Sequence, residues 1–239
     1  MPKELMIVVP ARGGSKRLPG KNLKLLGGQS LLARVASSVK ESGLEADVVL
    51  TTDDDAIAAE GRRLGWSVPF IRPDELATDV ASTNSAILHL LDWHNANGET
   101  DPEYIMVLQP TSPFRSGSSL ARAVALMGER GDIDSVVGMK RIDRPALGLF
   151  LVDGDGLAEP ICPDDAQTPV YISNGALFLT KTALFRRELS LYAGRVASLV
   201  MDDLHPVDID TPEDFVIASA LLNVEIEPIA ELAPPSRKE

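Results

Sequence analysis

The sequence predicts an α/β protein of three layers, with helices covering a mostly parallel sheet. Three observations support this. Short runs rich in Val, Ile and Leu read as buried strands. They alternate with amphipathic stretches of helical length, as in repeated βαβ units. The glycine-, proline- and charge-rich loops follow the ends of those runs, where parallel sheets bind ligands.

The elements follow in order. Leu5–Val9 is the first strand, closed by Pro10. A helix is expected from Ser30, near its N-cap, to Gly43, just past its end. Asp47–Thr52 is a strand running into Asp53, Asp54 and Asp55, which read either as caps for a helix over 56–64 or as ligand groups. Of these, Asp53 is best placed to face a ligand. Ser67–Ile71 is expected as a third strand, and Thr83–Trp93 as a helix whose His89 and Trp93 read as packing or surface residues. Glu103–Leu108 is a strand, Ser119–Glu129 a helix and Ser135–Met139 another strand. The rhythm then changes. Leu147–Val152, a turn at Asp153–Gly156, and Cys162–Tyr171 with its two prolines suggest a hairpin and an arm. Gly175–Thr180 returns to the sheet, Thr182–Leu189 is a short helix and Thr211–Leu222 a longer one. These elements form one domain, 1–229, with the arm at about 140–173 and a polar, disordered tail at 230–239.

The stretch VVPARGGSKRLPGKN, residues 8–22, is the most unusual. Five cations, Arg12, Lys16, Arg17, Lys21 and Lys24, fall within thirteen residues of a chain whose net charge is −12. Gly13, Gly14 and Gly20 let backbone amides approach a ligand, which suits phosphate oxygens. Arg forks onto such oxygens and Lys supplies a compact charge. The competing reading is a solvated basic loop. A Walker A spacing is absent because five residues separate Gly14 from Gly20 and Asn22 follows Lys21. Downstream, Asp208 and Asp210 are two apart, so an extended chain points both carboxylates to one side, an arrangement that fits Mg²⁺.

Composition narrows the partners. With 44% hydrophobic and 24% charged residues, the chain is an ordinary soluble globular protein. Its acidic balance argues against nucleic acid or an anionic membrane as partner. A single cysteine, Cys162, excludes an internal disulfide. No apolar run approaches the roughly 18–20 residues that span a bilayer. The amino end has no leader pattern, and a cytoplasmic location is expected.

Taken together, PARGGSKRLPGKN, TTD at 51–53, RPDELATDVAST at 72–83, LQPTSPFR at 108–115, NGALF at 174–178 and DIDTPED at 208–214 resemble the bacterial acylneuraminate cytidylyltransferases, in the same order. The likeness runs from about residue 5 to about 222. It implies a nucleotidyltransferase fold, Rossmann-like and GT-A-like, with a small dimerisation arm and a homodimer. It also implies a reaction: CTP and a nonulosonic 2-keto sugar acid give the CMP-sugar and pyrophosphate, with Mg²⁺. On this resemblance Arg12 and Lys21 hold the triphosphate, supported by Gly13, Gly14, Ser15 and Lys16, while Asn22 meets the ribose. Arg72 and Ser82 match cytosine positions, and Gln109 and Asn174 sugar-side positions. Asp208 and Asp210 match the metal pair, and one of them would take the proton of the attacking hydroxyl.

Two departures bear on the sugar. Phe178 stands where sialate-specific relatives often carry Tyr, and 162–173 contains no Lys or Arg to hold the sugar carboxylate. Lys140, Arg141 and Arg144 are the substitutes, with a solvated turn as the competing reading. His205 reads as a sugar contact or a surface histidine. A legionaminic-type acid is therefore open as substrate. So are Kdo and, from another class, an inactive nucleotide-binding homologue.

Overall fold

A computed structural model describes residues 5–142, 150–152, 158–160, 170–201 and 207–222. The strands are β1 (Leu5–Pro10), β2 (Leu25–Leu26), β3 (Gln29–Ser30), β4 (Asp47–Thr51), β5 (Tyr104–Val107), β6 (Ser135–Ile142), β7 (Phe150–Val152), β8 (Ala158–Pro160), β9 (Val170–Lys181) and β10 (Val196–Val200). The α-helices are α1 (Leu31–Ser42), α2 (Asp55–Arg63), α3 (Thr83–Ala96), α4 (Gly117–Glu129), α5 (Thr182–Glu188) and α6 (Pro212–Leu221).

The main sheet has six strands in the order β10-β6-β9-β5-β1-β4. Neighbours pair in parallel except at β9, which runs antiparallel to both β5 and β6. Strand β1 shows why such a sheet needs cover on both sides. Ile7 and Val9 join one core cluster with Leu32, Leu50 and Leu120, whereas Met6 and Val8 join another with Ile87, Leu90 and Phe185. Successive side chains of a strand point to opposite faces, so an unbroken apolar run is buried only between two helical layers. Helices α1, α2 and α4 contribute to the first cluster, and α3 and α5 to the second.

Capping side chains set the helix starts. Ser30, Asp54, Ser82 and Ser116 each accept a backbone N–H at the N-terminus of α1, α2, α3 and α4. At α6, Thr211 and Asp214 form a reciprocal capping box, with Pro212 in the first turn.

Ser67–Ile71 is not a strand. Ser67 makes an isolated bridge to Val49, and Pro69 removes a donor just beyond it. No element is expected at 190–205 from the sequence, yet β10 occupies the sheet edge there, with Ala197 and Leu199 inward and small or exposed residues between them. The expected hairpin is present as β7 paired antiparallel with β8. Its turn at Asp153–Gly156, Cys162 and the tail 230–239 lie outside the described residues. No described helix is long and apolar enough to cross a membrane.

A third apolar cluster sits under the loops rather than the sheet. It joins Leu18, Leu26, Leu31, Ile209 and Ala218, with Phe114 and Phe215 packed alongside. Ile209 is fully buried, and its N–H donates to Thr111 O at 2.8 Å. Ile209→Ala should cost roughly 2–5 kcal/mol, the range for truncating a buried aliphatic side chain. Urea unfolding would read this directly; a loss under about 0.5 kcal/mol, the level of an ordinary surface substitution, would show that the cluster contributes little.

Candidate functional site

The glycine-and-cation loop leaves the carboxyl end of β1 and is fixed before it meets any ligand. Gly13 N–H donates to Asp53 Oδ1 at 3.0 Å. A Cβ on Gly13 would lie 2.6 Å from Asp54 Oδ2, so only glycine lets the loop pass the start of α2. Asp53 therefore fastens the loop instead of facing a ligand, and Asp54 is the helix cap. Gly20 adopts φ 65° at the entry to the 3₁₀ turn Lys21–Leu23, the left-handed region that favours glycine. The buried Asn22 donates its amide to Arg12 O at 3.0 Å, tying the two ends of the loop together.

Beside this loop lies a cleft of about 350 Å³. Arg12, Lys21, Asn22, Arg72, Ser82, Gln109, Asp208 and Asp210 all line it, so eight of the residues expected at the site converge. Arg17 lines it too, although its sequence position carried no assigned role.

Two carboxylates neutralise the loop cations. Lys21 Nζ donates to Asp210 Oδ1 at 2.8 Å and to Ile209 O at 3.3 Å, and Arg17 Nη2 reaches Asp210 Oδ2 at 2.6 Å. On the opposite side, Asp79 pairs with Arg12 at 2.9 Å and Lys16 at 2.6 Å. Partial burial pushes the Asp210 carboxyl upward, but the Lys21 hydrogen bond and the Lys21 and Arg17 charges outweigh it and hold the group below the usual carboxylate range. The exposed Asp79 is lowered mainly by its hydrogen bond from Lys16.

Two buried arginines brace the neighbouring loops. Arg72 donates from Nε to Thr51 Oγ1 at 3.1 Å and from Nη2 to Thr51 O, and burial is the main influence lowering its guanidinium. Arg115 donates from Nη2 to Gln109 O, while its Nε has no partner among the described residues. Burial pushes the Arg115 guanidinium down to about 9, opposed by the charge of Asp208. It remains a cation at neutral pH. Neither this bracing role nor Asp79 was singled out from the sequence, although both residues stand within quoted motif blocks.

Other expected site residues lie elsewhere. Lys16 touches Asp79 from outside the cleft, and Ser15 is buried in the loop. Gly14 opens on empty space at its Cβ position. The Asn174 side chain is engaged with Ala176 N–H and Met201 Sδ, and its carbonyl accepts from Ser112 Oγ. The adjacent Gly175 has φ 70°, and a Cβ there would come within 3.0 Å of Gln109 Oε1. The Asn-Gly pair thus makes room for the 109–112 turn rather than lining the cleft. Lys140 and Arg141 are exposed on the outer half of β6, and Arg144 and His205 lie outside the described residues. Phe178 is buried with its ring 5.6 Å from that of Tyr192 and does not line the cleft.

Comparison with known proteins agrees with this geometry. The sequence profile of the family described as Cytidylyltransferase matches residues 6–146. The chain belongs to the cytidylyltransferase family. It is a nucleotidyltransferase on that account. It is 30% identical to a CMP-N,N'-diacetyllegionaminic acid synthase of Legionella pneumophila, over 93% of this chain and 98% of that protein. It is 29% identical to an N-acylneuraminate cytidylyltransferase of Streptococcus agalactiae, over 87% of this chain, and spans about half of that relative, 51%. In fold it resembles a CMP-2-keto-3-deoxy-manno-octonic acid synthetase solved with CTP, with a TM-score of 0.68, 18% identity and coverage of 92% and 98% of the two chains.

The Asp210 ion pairs make stability depend on pH. A carboxyl whose folded pKa is depressed contributes stability above its unfolded pKa of about 3.9 and loses it as pH falls through the folded value. Asp210→Asn should therefore be less stable than wild type near neutrality, with the gap closing below about pH 4. Chemical denaturation at several pH values checks this; a gap that is constant with pH would contradict the ion-pair origin.

Proposed function

We propose that this cytidylyltransferase transfers CMP from CTP to the anomeric hydroxyl of a nonulosonic sugar acid. The hydroxyl oxygen forms a bond to the α-phosphorus, the bond from that phosphorus to the β-phosphate bridge breaks, and pyrophosphate leaves. One observation carries the reading: cations from residues 12–21 and carboxylates from residues 208–210 line the same cleft. Arg12, Arg17 and Lys21 would take the phosphate oxygens, where charge builds in the transition state. Arg72 and Ser82, which line the same cleft, would border the base, and Gln109 the sugar. Asp208 or Asp210 would accept the hydroxyl proton.

A magnesium ion belongs to the same proposal. Among the described residues no cluster of three or more His, Cys, Asp or Glu forms a complete metal cage. Mg²⁺ is commonly held by one or two carboxylates together with substrate phosphates and water, so Asp208 and Asp210 fit it. Bound there, the ion would neutralise phosphate charge. Asp210 would then exchange its Lys21 and Arg17 contacts for the metal, releasing both cations to the triphosphate.

The Legionella relative supports a diacetylated legionaminic-type acid as the first sugar to test. The β7–β8 hairpin, outside the main sheet, supports pairing of two copies through the arm. Dependence on CTP supports a cytoplasmic enzyme.

Pyrophosphate release should require CTP rather than other nucleoside triphosphates, Mg²⁺ and a nonulosonic acid. Turnover of Kdo alone would move the assignment to that sugar, and CTP binding without release for any acid would mark an inactive homologue. Lys21→Ala should lower turnover about 10²–10³-fold, the cost of removing one transition-state donor, far more than the lost Asp210 pair lowers the melting temperature. Asp210→Asn should shift the Mg²⁺ titration to higher concentration; an unchanged titration removes Asp210 from the metal.

A further inference from the structure

The cleft contains one carboxylate that neither the metal nor the transfer step uses. Asp79 stands on the short segment between the turn Asp74–Leu76 and α3, which is braced locally by Ala81 N–H donating to Thr78 Oγ1 at 3.2 Å. Its two oxygens bridge two cations, Oδ1 to Arg12 and Oδ2 to Lys16. An anion that shares its oxygens between an Arg and a Lys presents the charge and acceptor pattern of a phosphoryl group. The Asp79 side chain is 43% exposed and that of Lys16 80%, so the contacts open without disturbing a core.

We propose that Asp79 is a positioning residue that stands in for the departing pyrophosphate. It holds Arg12 and Lys16 while the cleft is free of nucleotide, yields them to the phosphates on binding, and recaptures them as pyrophosphate leaves. The inference rests on reading those two cations as phosphate ligands.

The sign of the effect follows from charge. Without nucleotide, Asp79 satisfies the cations and so stabilises the free state. With nucleotide, its charge stays beside the polyphosphate and repels it. Both effects weaken anion binding and favour release. Loss of ordering works in the opposite direction, but exposed ion pairs contribute little. Neutralising Asp79 should therefore tighten polyphosphate binding by roughly two- to fivefold, the scale of one exposed charge contact.

The test is calorimetric titration of inorganic pyrophosphate, and separately of CTP, each with Mg²⁺ and no sugar acid. Wild type is compared with Asp79→Asn, Asp79→Glu and Asp74→Asn. Asp74 is an acid of the same segment that forms no ion pair among the described residues. Asp79→Asn should bind pyrophosphate roughly two- to fivefold more tightly, and pyrophosphate should inhibit its turnover more strongly. Asp79→Glu and Asp74→Asn should stay near wild type. Unchanged or weaker binding by Asp79→Asn overturns the inference, as does an equal gain in Asp74→Asn, which would mean only a bulk charge effect. Failure of Asp79→Asn to fold also overturns it, since a role confined to two exposed cations carries no such cost. Wild type binding neither CTP nor pyrophosphate overturns the phosphate reading itself; wild-type binding with no change in Asp79→Asn overturns only the role of Asp79.

Discussion

The contact between Lys21 and Asp210 spans 189 positions of sequence and closes at 2.8 Å. Most of the site depends on it. The Lys21 side chain is only 14% exposed, so its charge is largely withdrawn from water and requires a partner. Asp210 is that partner, and Arg17 shares its other oxygen. A chain segment from the carboxyl end is thereby held against the amino-terminal loop. In the nucleotide-free cleft this contact sets the Asp210 carboxylate against the loop cations.

The fold makes that contact through packing rather than through the sheet alone. Parallel strands bring the loops after β1, β4 and β5 to one edge. Ile209 then anchors the acidic segment among Leu18, Leu26 and Leu31, and its two neighbours, Asp208 and Asp210, line the cleft. The 109–115 turn holds the same segment through Thr111, and Phe114 packs against the cluster that contains Ile209. The Arg115 guanidinium is buried behind Gln109, a position that puts a cation near Asp208 without exposing it to substrate. The Asp208–Asp210 segment and the Gln109 turn therefore share one buried support.

Much of this was legible in the sequence because the signals are local. Apolar runs without polar interruption marked the central strands, and Ser30 and the Asp53–Asp55 run marked the starts of α1 and α2 by their capping chemistry. Eight expected site residues line the cleft because the short motif blocks sit on loops at one sheet edge. What the sequence concealed depends on distant partners. The reversed direction of β9 and the edge strand β10 follow from pairing that no local pattern encodes. Pro69 broke an otherwise strand-like run. Asn174 and Phe178 stand within a motif block, yet their side chains are taken up by Met201 and Tyr192. Asp53 had the right location and a different task, since a backbone N–H of the loop claims its oxygen.

The central claim is that one cleft exchanges internal ion pairs for a metal-bound triphosphate. A crystal structure of the protein soaked with CTP and Mg²⁺ tests it most directly. The expected result has Lys21 and Arg12 against phosphate oxygens, with Asp210 turned from Lys21 onto the metal. A nucleotide bound elsewhere, or a triphosphate in the cleft with the Lys21–Asp210 pair intact and no metal on either carboxylate, would contradict it.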